Sequence, residues 1–183
     1  MLVRPAQAKD AAGITRVQVP SWQEAYAGIV PATYLQNMLT AEWQARRVEH
    51  WTRTMTTGEI FGAVAENEQG EIIGFAMGGS SRDPGLKDYD GELYAIYILP
   101  TEQQQGVGRA LFQAFACDLH DRGYMGMLIW ALRDNKRARA FYERMGGQAV
   151  GKKRVMLGEE LWEVGYGWPD LMRLTASFKK DMR

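Results

Sequence analysis

The feature that most constrains the fold of this chain is a turn with two glycines, which joins an apolar segment to an amphipathic one. Residues 98–109 read ILPTEQQQGVGR, so Gly106 and Gly108 come directly before the apolar positions of a predicted helix. Glycine lets the backbone approach a ligand closely, and the first amides of a helix and its dipole favour a phosphate group. The sequence therefore predicts a phosphate or pyrophosphate site at this turn, with Arg109 adding positive charge at the rim.

Two common phosphate-binding motifs do not fit this turn. A Walker A loop requires Gly-Lys followed by Ser or Thr, and the chain has no such tripeptide. A Rossmann fingerprint that begins at Gly106 requires Gly or Ala at position 111, where the chain has Leu111, so NAD binding is disfavoured. Taken alone, the turn is also compatible with a plain connector between a strand and a helix that binds no ligand.

Hydrophobic periodicity predicts an alternation of helices and strands around this turn. We expect a helix that begins at Asp10 and ends or kinks at Pro20, and a separate helical stretch over 22–27. A further helix carries Trp43, Arg47, Trp51 and Met55. The remaining expectations are strands near 1–4, 60–66, 71–78, 92–99, 127–132, 148–156 and 161–167, and helices over 106–122 and 135–146.

A second motif lies in the later of these helices, where residues 135–146 read NKRARAFYERMG. Asn135 suits the N-cap of the helix, and Gly146 suits its end. Tyr142 falls on the apolar face of the helix, seven residues after Asn135. Packing alone would explain an aromatic residue there, so the position of Tyr142 does not by itself assign it a role.

Together the two motifs resemble the signatures of the GNAT N-acetyltransferases. The first is Gln103-x-x-Gly106-x-Gly108 after a strand that ends in proline, and the second is Asn135, then Tyr142, then a glycine after the helix. The similarity covers roughly residues 94–166, and residues 4–6, 10 and 22–34 resemble a bacterial small-molecule or polyamine-type branch. It implies a single domain over 1–183 with an α/β fold, in which a mixed, mostly antiparallel sheet carries helices on both faces.

The resemblance also implies an enzyme that moves an acetyl group from acetyl-CoA to a primary amine of a small molecule or peptide. Two catalytic residues follow from it: Tyr142 as the acid that protonates the departing thiolate, and Glu92 as the base that helps neutralise the amine. The alternative for Glu92 is an exposed glutamate at a strand end, and Asn135 can cap its helix as well as bind the cofactor. The implied cofactor-binding residues are Ile98, Gln103, Gln104, Gln105, Gly106, Val107, Gly108, Arg109, Asn135 and Tyr142.

Two positions depart from the family pattern. Gly147 stands where the family usually has Phe, which removes a packing side chain before the next strand. Gln104 stands where many members have Gly, which adds a side chain beside the phosphates. The first departure leaves the local backbone less defined by the resemblance, and neither removes the cofactor motif.

Composition narrows the class of partner. Lys plus Arg and Asp plus Glu number 22 each, so no global field draws the chain to nucleic acid or to an anionic membrane. Cys117, the single cysteine, excludes an internal disulfide and a multi-cysteine zinc site. We expect no metal cofactor, no membrane span or signal peptide, and a cytoplasmic location, with a homodimer left open.

The acceptor is less constrained than the cofactor. The N-terminal aromatic stretch 22–34 is expected either to line the acceptor cleft or simply to pack in the core. Four acidic residues could attract a cationic amine, in agreement with a polyamine acceptor: Glu24, Asp88, Asp90 and Glu92. Two other classes stay open, a non-catalytic sensor of acyl-CoA and an interaction module that uses the fold as a scaffold.

Overall fold

The computed structural model describes residues 1–181, and in this part of the chain one seven-stranded sheet carries helices on both faces. The strands are β1 (Leu2–Pro5), β2 (Phe61–Glu66), β3 (Ile72–Ser80), β4 (Gly91–Ile98), β5 (Met127–Leu132), β6 (Gln148–Met156) and β7 (Glu160–Trp168). The helices are α1 (Ala11–Ala25), α2 (Ala32–Asn37), α3 (Ala41–Thr57), α4 (Val107–Asp121), α5 (Lys136–Arg144) and α6 (Leu171–Asp181). The strand order is β1-β2-β3-β4-β5-β7-β6, and every neighbouring pair is antiparallel except β4 and β5. The predicted α/β class and sheet type are confirmed.

Alternating side chains of the sheet form two cores. Val64, Phe75 and Met77 face α1 and α3, where Trp51 packs against them. Their neighbours along β2 and β3 face α4 and α6 on the opposite side. Because a strand directs successive side chains to opposite faces, strands that read as nearly continuous apolar runs are the expected sequence for a sheet covered on both sides.

The prediction that Pro20 ends or kinks the first helix is wrong in its first alternative, because Pro20 does not end the helix. Helix α1 runs past Pro20 to Ala25, so the separate helix expected over 22–27 is mainly its last turn. The hydroxyl of the next residue, Ser21, donates to the carbonyls of both Val17 and Ile98, which ties this part of the helix to β4. Tertiary contacts of this kind override the local preference against proline. Helix α6 was not predicted.

The parallel pairing of β4 with β5 is very short. Only Gly91 with Met127 and Glu92 with Leu128 are paired, although both strands continue for several residues. Beyond these pairs β5 remains bound to β7, and β4 remains bound to β3. The sheet therefore opens in its middle, and the two strands become the walls of a cleft.

A bulge in β4 lies where the strands separate. Met77 pairs with Ala95 and Gly78 pairs with Leu93, so Tyr94 is an extra residue on β4. A bulge bends its strand and increases the local twist. Gly78 allows this close approach, because a Cβ atom there would lie 2.1 Å from the carbonyl oxygen of Glu92 and 2.5 Å from the Phe115 ring.

This contact makes Gly78 a test of how the open sheet is held. Gly78→Ala should destabilise the protein by roughly 3 kcal/mol, because the methyl group collides with backbone and with a buried ring. Gly85→Ala is the control, since a Cβ atom there meets only Asp83 Oδ1, at 3.7 Å, and should change stability by less than about 0.5 kcal/mol. Urea unfolding of both variants measures the difference, and equal midpoints would contradict it.

Candidate functional site

The opening between β4 and β5 holds a cavity of about 340 Å³. Ala95 and Ile98 of β4 form one wall, and Ile129 and Ala131 of β5 form the other. The turn before α4 and the start of α5 follow the carboxyl ends of these two parallel strands and line the cavity there, together with residues of the last turn of α1. The site is therefore a direct product of the short pairing between β4 and β5.

The glycine turn lies at one end of this cleft. Gly106 is the N-cap of α4 with φ of +83°, and a Cβ atom built on it would meet no atom within 4 Å. Gln104 also has a positive φ, of 63°, which is uncommon for a residue with a side chain. The turn thus aims the N-terminus of α4 at an open space, which is the geometry that anions prefer.

Glu24 bridges the mouth of the cleft. Its carboxylate accepts a hydrogen bond from the Gln103 side chain at 3.2 Å and one from Arg137 at 2.8 Å. Gln103 also donates to the carbonyl of Ile98, at 3.3 Å, so its amide is fixed against the strand. Two polar groups that line the cleft therefore already hold one anionic group, which shows that their positions suit an anion.

Tyr142 lies inside the cleft on α5 and is almost fully buried, with 5% of its surface exposed. Burial raises the pKa of its phenol well above the ordinary value, and nearby Tyr26 adds to the effect. The group therefore keeps its proton at neutral pH. Asn135 opens α5 as its N-cap and accepts a hydrogen bond from the Ala138 amide at 3.0 Å.

A pair of tyrosines lies between the two walls; Tyr26 belongs to the stretch 22–34 that was expected near a cleft, whereas Tyr97 and the pairing were missed by sequence reasoning. The hydroxyl groups of Tyr26 and Tyr97 lie 3.0 Å apart, and burial raises the pKa of both phenols. Both side chains line the cleft with Tyr142. The strand containing Tyr97 was predicted, but the β4 bulge that changes the direction of its side chains leaves no signal in the sequence.

Most of the predicted cofactor residues lie together around the cleft. Those that line it are Ile98, Gln103, Gln104, Gly106, Gly108, Arg109, Asn135 and Tyr142. Gln105 is exposed and donates to the carbonyl of Thr101, and Val107 points into the core as the first residue of α4. These two residues are in the turn but not on the lining of the cavity.

Glu92 lies outside this cavity and is buried, with 1% of its surface exposed. Its Oε2 atom accepts from the Arg82 amide at 2.9 Å, and its Oε1 atom accepts from the Arg82 guanidinium, with Nε at 3.2 Å. Glu92 is thus neither an exposed glutamate nor a carboxylate without partners. It borders a second cavity, which adjoins the first at Tyr94 and Trp130.

Three of the four acidic residues expected near a cationic acceptor have partners within the chain. Glu24 binds Gln103 and Arg137, and Glu92 binds Arg82. The carboxylate of Asp90 accepts hydrogen bonds from the backbone amides of residues 125 and 126. Their charges are largely compensated, so they form no acidic cluster for an amine.

Neither a metal cluster nor a membrane span is found between residues 1 and 181. No group of three His, Cys, Asp or Glu side chains in this range is arranged to hold a metal ion. Within the same residues, none of the helices combines the length and the apolar character that crossing a bilayer requires.

Comparison with known proteins gives a consistent family. Residues 21–147 match the profile described as the Acetyltransferase (GNAT) family. The chain is 37% identical over 173 residues to the uncharacterized N-acetyltransferase YuaI of Bacillus subtilis, an alignment that covers 94% of this chain and 95% of that protein.

Two solved structures share the fold. PaiA N-acetyltransferase from Thermoplasma acidophilum, in complex with coenzyme A, has a TM-score of 0.67 and 18% identity over 92% of this chain and 100% of its own. Ribosomal-protein-alanine N-acetyltransferase from Brucella melitensis has a TM-score of 0.70 and 18% identity, covering 92% and 99%. The predicted fold is therefore shared with solved structures.

The open space at Gly106 provides a test of the turn. Gly106→Ala and Gly123→Ala each place a side chain on a glycine with positive φ and no atom within 4 Å, at opposite ends of α4. Both should lose about 1–2 kcal/mol of stability from the strained backbone. Only Gly106→Ala should also weaken coenzyme A binding, measured by calorimetry, and equal affinities in the two variants would exclude the turn as the anion site.

Proposed function

The chain belongs to the acetyltransferase (GNAT) family, and from this premise we propose that it transfers an acetyl group from acetyl-CoA to a primary amine of a small molecule or peptide. The observation that carries the proposal is the cleft itself. It has the N-terminus of α4 open to the space at one end and a protonated phenol buried along its wall. The first feature suits the phosphates of an acyl-CoA, and the second suits an acid that protonates the departing thiolate.

The residues of the turn fit the pyrophosphate of coenzyme A. The space at Gly106 that a Cβ atom would enter is open, and the start of α4 points toward it. Gln103 and Arg137 already hold the carboxylate of Glu24, so they can hold a phosphate in its place. Ile98, Gly108 and Asn135 line the narrower part of the cleft, where we place the pantetheine arm.

Acetyl-CoA, when bound, supplies an activated acetyl thioester. Tyr142 donates a hydrogen bond to the sulfur as the carbon–sulfur bond breaks, which stabilises the developing thiolate. A thiol has an ordinary pKa near 8.5, below that of the buried phenol, so complete proton transfer from Tyr142 is unfavourable by itself. Transfer becomes favourable when Tyr142 receives the proton that the amine nitrogen loses as the amide bond forms.

For the acceptor, we propose a small molecule with a primary amine, and polyamines remain one candidate. The stretch 22–34 gives the cofactor cleft an aromatic wall, because Tyr26 lines the cleft and Trp22 packs against both Tyr26 and Tyr34. Thiol release in the presence of linear polyamines, amino acids, amino sugars and short peptides compares the classes directly. A cytoplasmic location fits the single cysteine and belongs to the same proposal.

Tyr142→Phe tests whether the site is catalytic. The variant should lower amine-dependent thiol release roughly 10- to 1000-fold, because only the hydroxyl proton is removed. Affinity for acetyl-CoA should barely change, because the ring that lines the cleft is retained. Both quantities are measured on the same preparation.

The control is Tyr166→Phe, which removes a hydroxyl from the same aromatic cluster. The Tyr166 ring lies 5.9 Å from that of Tyr142, but its hydroxyl bonds Arg139 and Glu143 outside the cleft. This control should retain most of its turnover. Unchanged turnover in Tyr142→Phe would reject its role as the acid, and the absence of turnover in the parent protein with every amine would favour a sensor of acyl-CoA.

A further inference from the structure

A second cavity, of about 410 Å³, adjoins the cofactor cleft. Tyr94 and Trp130 belong to both cavities, so the second cavity meets the first where β4 and β5 separate. Its other walls come from β6, β7 and the loop before β4, with Arg82, Glu92, Lys153 and Glu163 among them. A molecule in this cavity would therefore reach the cleft from the side opposite the glycine turn.

Trp130 lines both cavities, and its ring packs over Gly151 and Gly165, which form a glycine floor beneath it. A Cβ atom on Gly165 would lie 3.0 Å from its ring, and one on Gly151 would lie 3.5 Å away. The ammonium of Lys153 lies 4.0 Å from the ring centroid. The indole nitrogen is buried and has no hydrogen-bond partner among residues 1–181, which leaves one donor available at the junction.

The two carboxylates of this cavity differ in their partners. Both oxygens of Glu92 accept hydrogen bonds from Arg82, and the side chain is fully buried. Glu163 is half-buried, and among the side chains that the structure describes none forms a hydrogen bond or salt bridge with its carboxylate. A proton acceptor needs an oxygen that is free to receive the proton, and Glu163 satisfies this condition better than Glu92.

The charged and titratable groups around Glu163 come from four elements. Lys153 is its direct neighbour on β6. The charges of Arg82, in the loop, and of Glu92, on β4, both affect the pKa of Glu163. The charge of Glu163 in turn raises the pKa of Tyr26, which follows the end of α1. Burial raises the pKa of Glu163, and the two cations oppose this shift without reversing it.

Resting on the function proposed above, we propose that the second cavity binds the acceptor amine and that Glu163 accepts its proton. Glu92 then acts as a positioning residue that holds Arg82 at the cavity wall. Tyr26 links the two groups electrostatically, because, in addition to burial, the charge of Glu163 raises the pKa of Tyr26 and Tyr26 in turn raises the pKa of Tyr142. The acceptor class is a primary amine that enters as an ammonium ion between aromatic walls.

The protons balance in this scheme. Glu163 takes one proton from the ammonium group and releases it to solvent, which leaves a neutral amine. The amine nitrogen forms a bond to the acetyl carbon, and the bond from that carbon to sulfur breaks. The nitrogen then loses a second proton, which replaces the one that Tyr142 gives to the sulfur, so one proton is released in each turnover.

Glu163→Gln, Glu92→Gln and Glu159→Gln together test the assignment. Glu159 is exposed at the turn between β6 and β7 and serves as the control. At pH 7, Glu163→Gln should lower kcat about 100-fold, because the bound ammonium has lost its proton acceptor. The loss should shrink as the pH rises and more of the amine is free in solution.

The pH–rate profile separates a proton acceptor from a structural residue. In the parent protein, activity should rise with pH as Glu163 ionises, above the ordinary range of a glutamate because its pKa is raised. That limb should vanish in Glu163→Gln and persist in the Glu92 variant. Affinity for acetyl-CoA, measured by calorimetry, should stay unchanged in Glu163→Gln and shows that the cleft has folded.

Three results would overturn the assignment while leaving the acetyltransferase proposal intact. They are a turnover in Glu163→Gln equal to that of Glu159→Gln, pH profiles that run parallel in parent and variant, and a loss of the pH limb in Glu92→Gln alone. If Glu163→Gln does not bind acetyl-CoA, Glu163→Asp replaces it, and a pH limb unchanged in position would count against the role. No turnover in the parent protein with every acceptor class would instead reject the proposed function.

Discussion

The two residue pairs that join β4 to β5 are the constraint on which the rest of the structure depends. When the ladder between two strands ends early, the backbone N–H and C=O groups beyond it lose their partners and must form other hydrogen bonds. Here the carbonyl of Ile98 accepts from Ser21 and from the side chain of Gln103, so α1 and the glycine turn stabilise the separated edge of β4. Both contacts lie at the carboxyl end of β4 beside the cleft, so the same hydrogen bonds support the strand and the geometry of the site.

Burial sets the chemical character of the cleft. Tyr26, Tyr97 and Tyr142 are close together and shielded from water, and each has a raised pKa for that reason first. In such surroundings a hydrogen bond from a phenol to a developing anion is stronger than it would be in water. A donor that cannot ionise at neutral pH is also a donor whose state does not vary over the physiological range.

Local features of the sequence predicted the local parts of the site. Gly106 and Gly108 mark the turn by their own conformational needs, and Asn135 with Gly146 marks the ends of α5. Features that depend on contacts between distant parts of the chain could not be predicted in this way. The continuation of α1 through Pro20 depends on contacts with β4, the pairing of Glu92 with Arg82 depends on a loop, and the place of Glu163 depends on the register of β6 and β7.

The glycine floor beneath Trp130 has a consequence for the range of acceptors. Gly165 leaves the space that the indole occupies against the sheet, and Gly151 lies beside it without crowding the ring. A Cβ atom on Gly165 would lie 3.0 Å from the ring, so the indole would have to move by a few tenths of an ångström. In the proposed acceptor cavity, a substitution at Gly165 would therefore change the space open to the acceptor while every charged residue of the site stays the same.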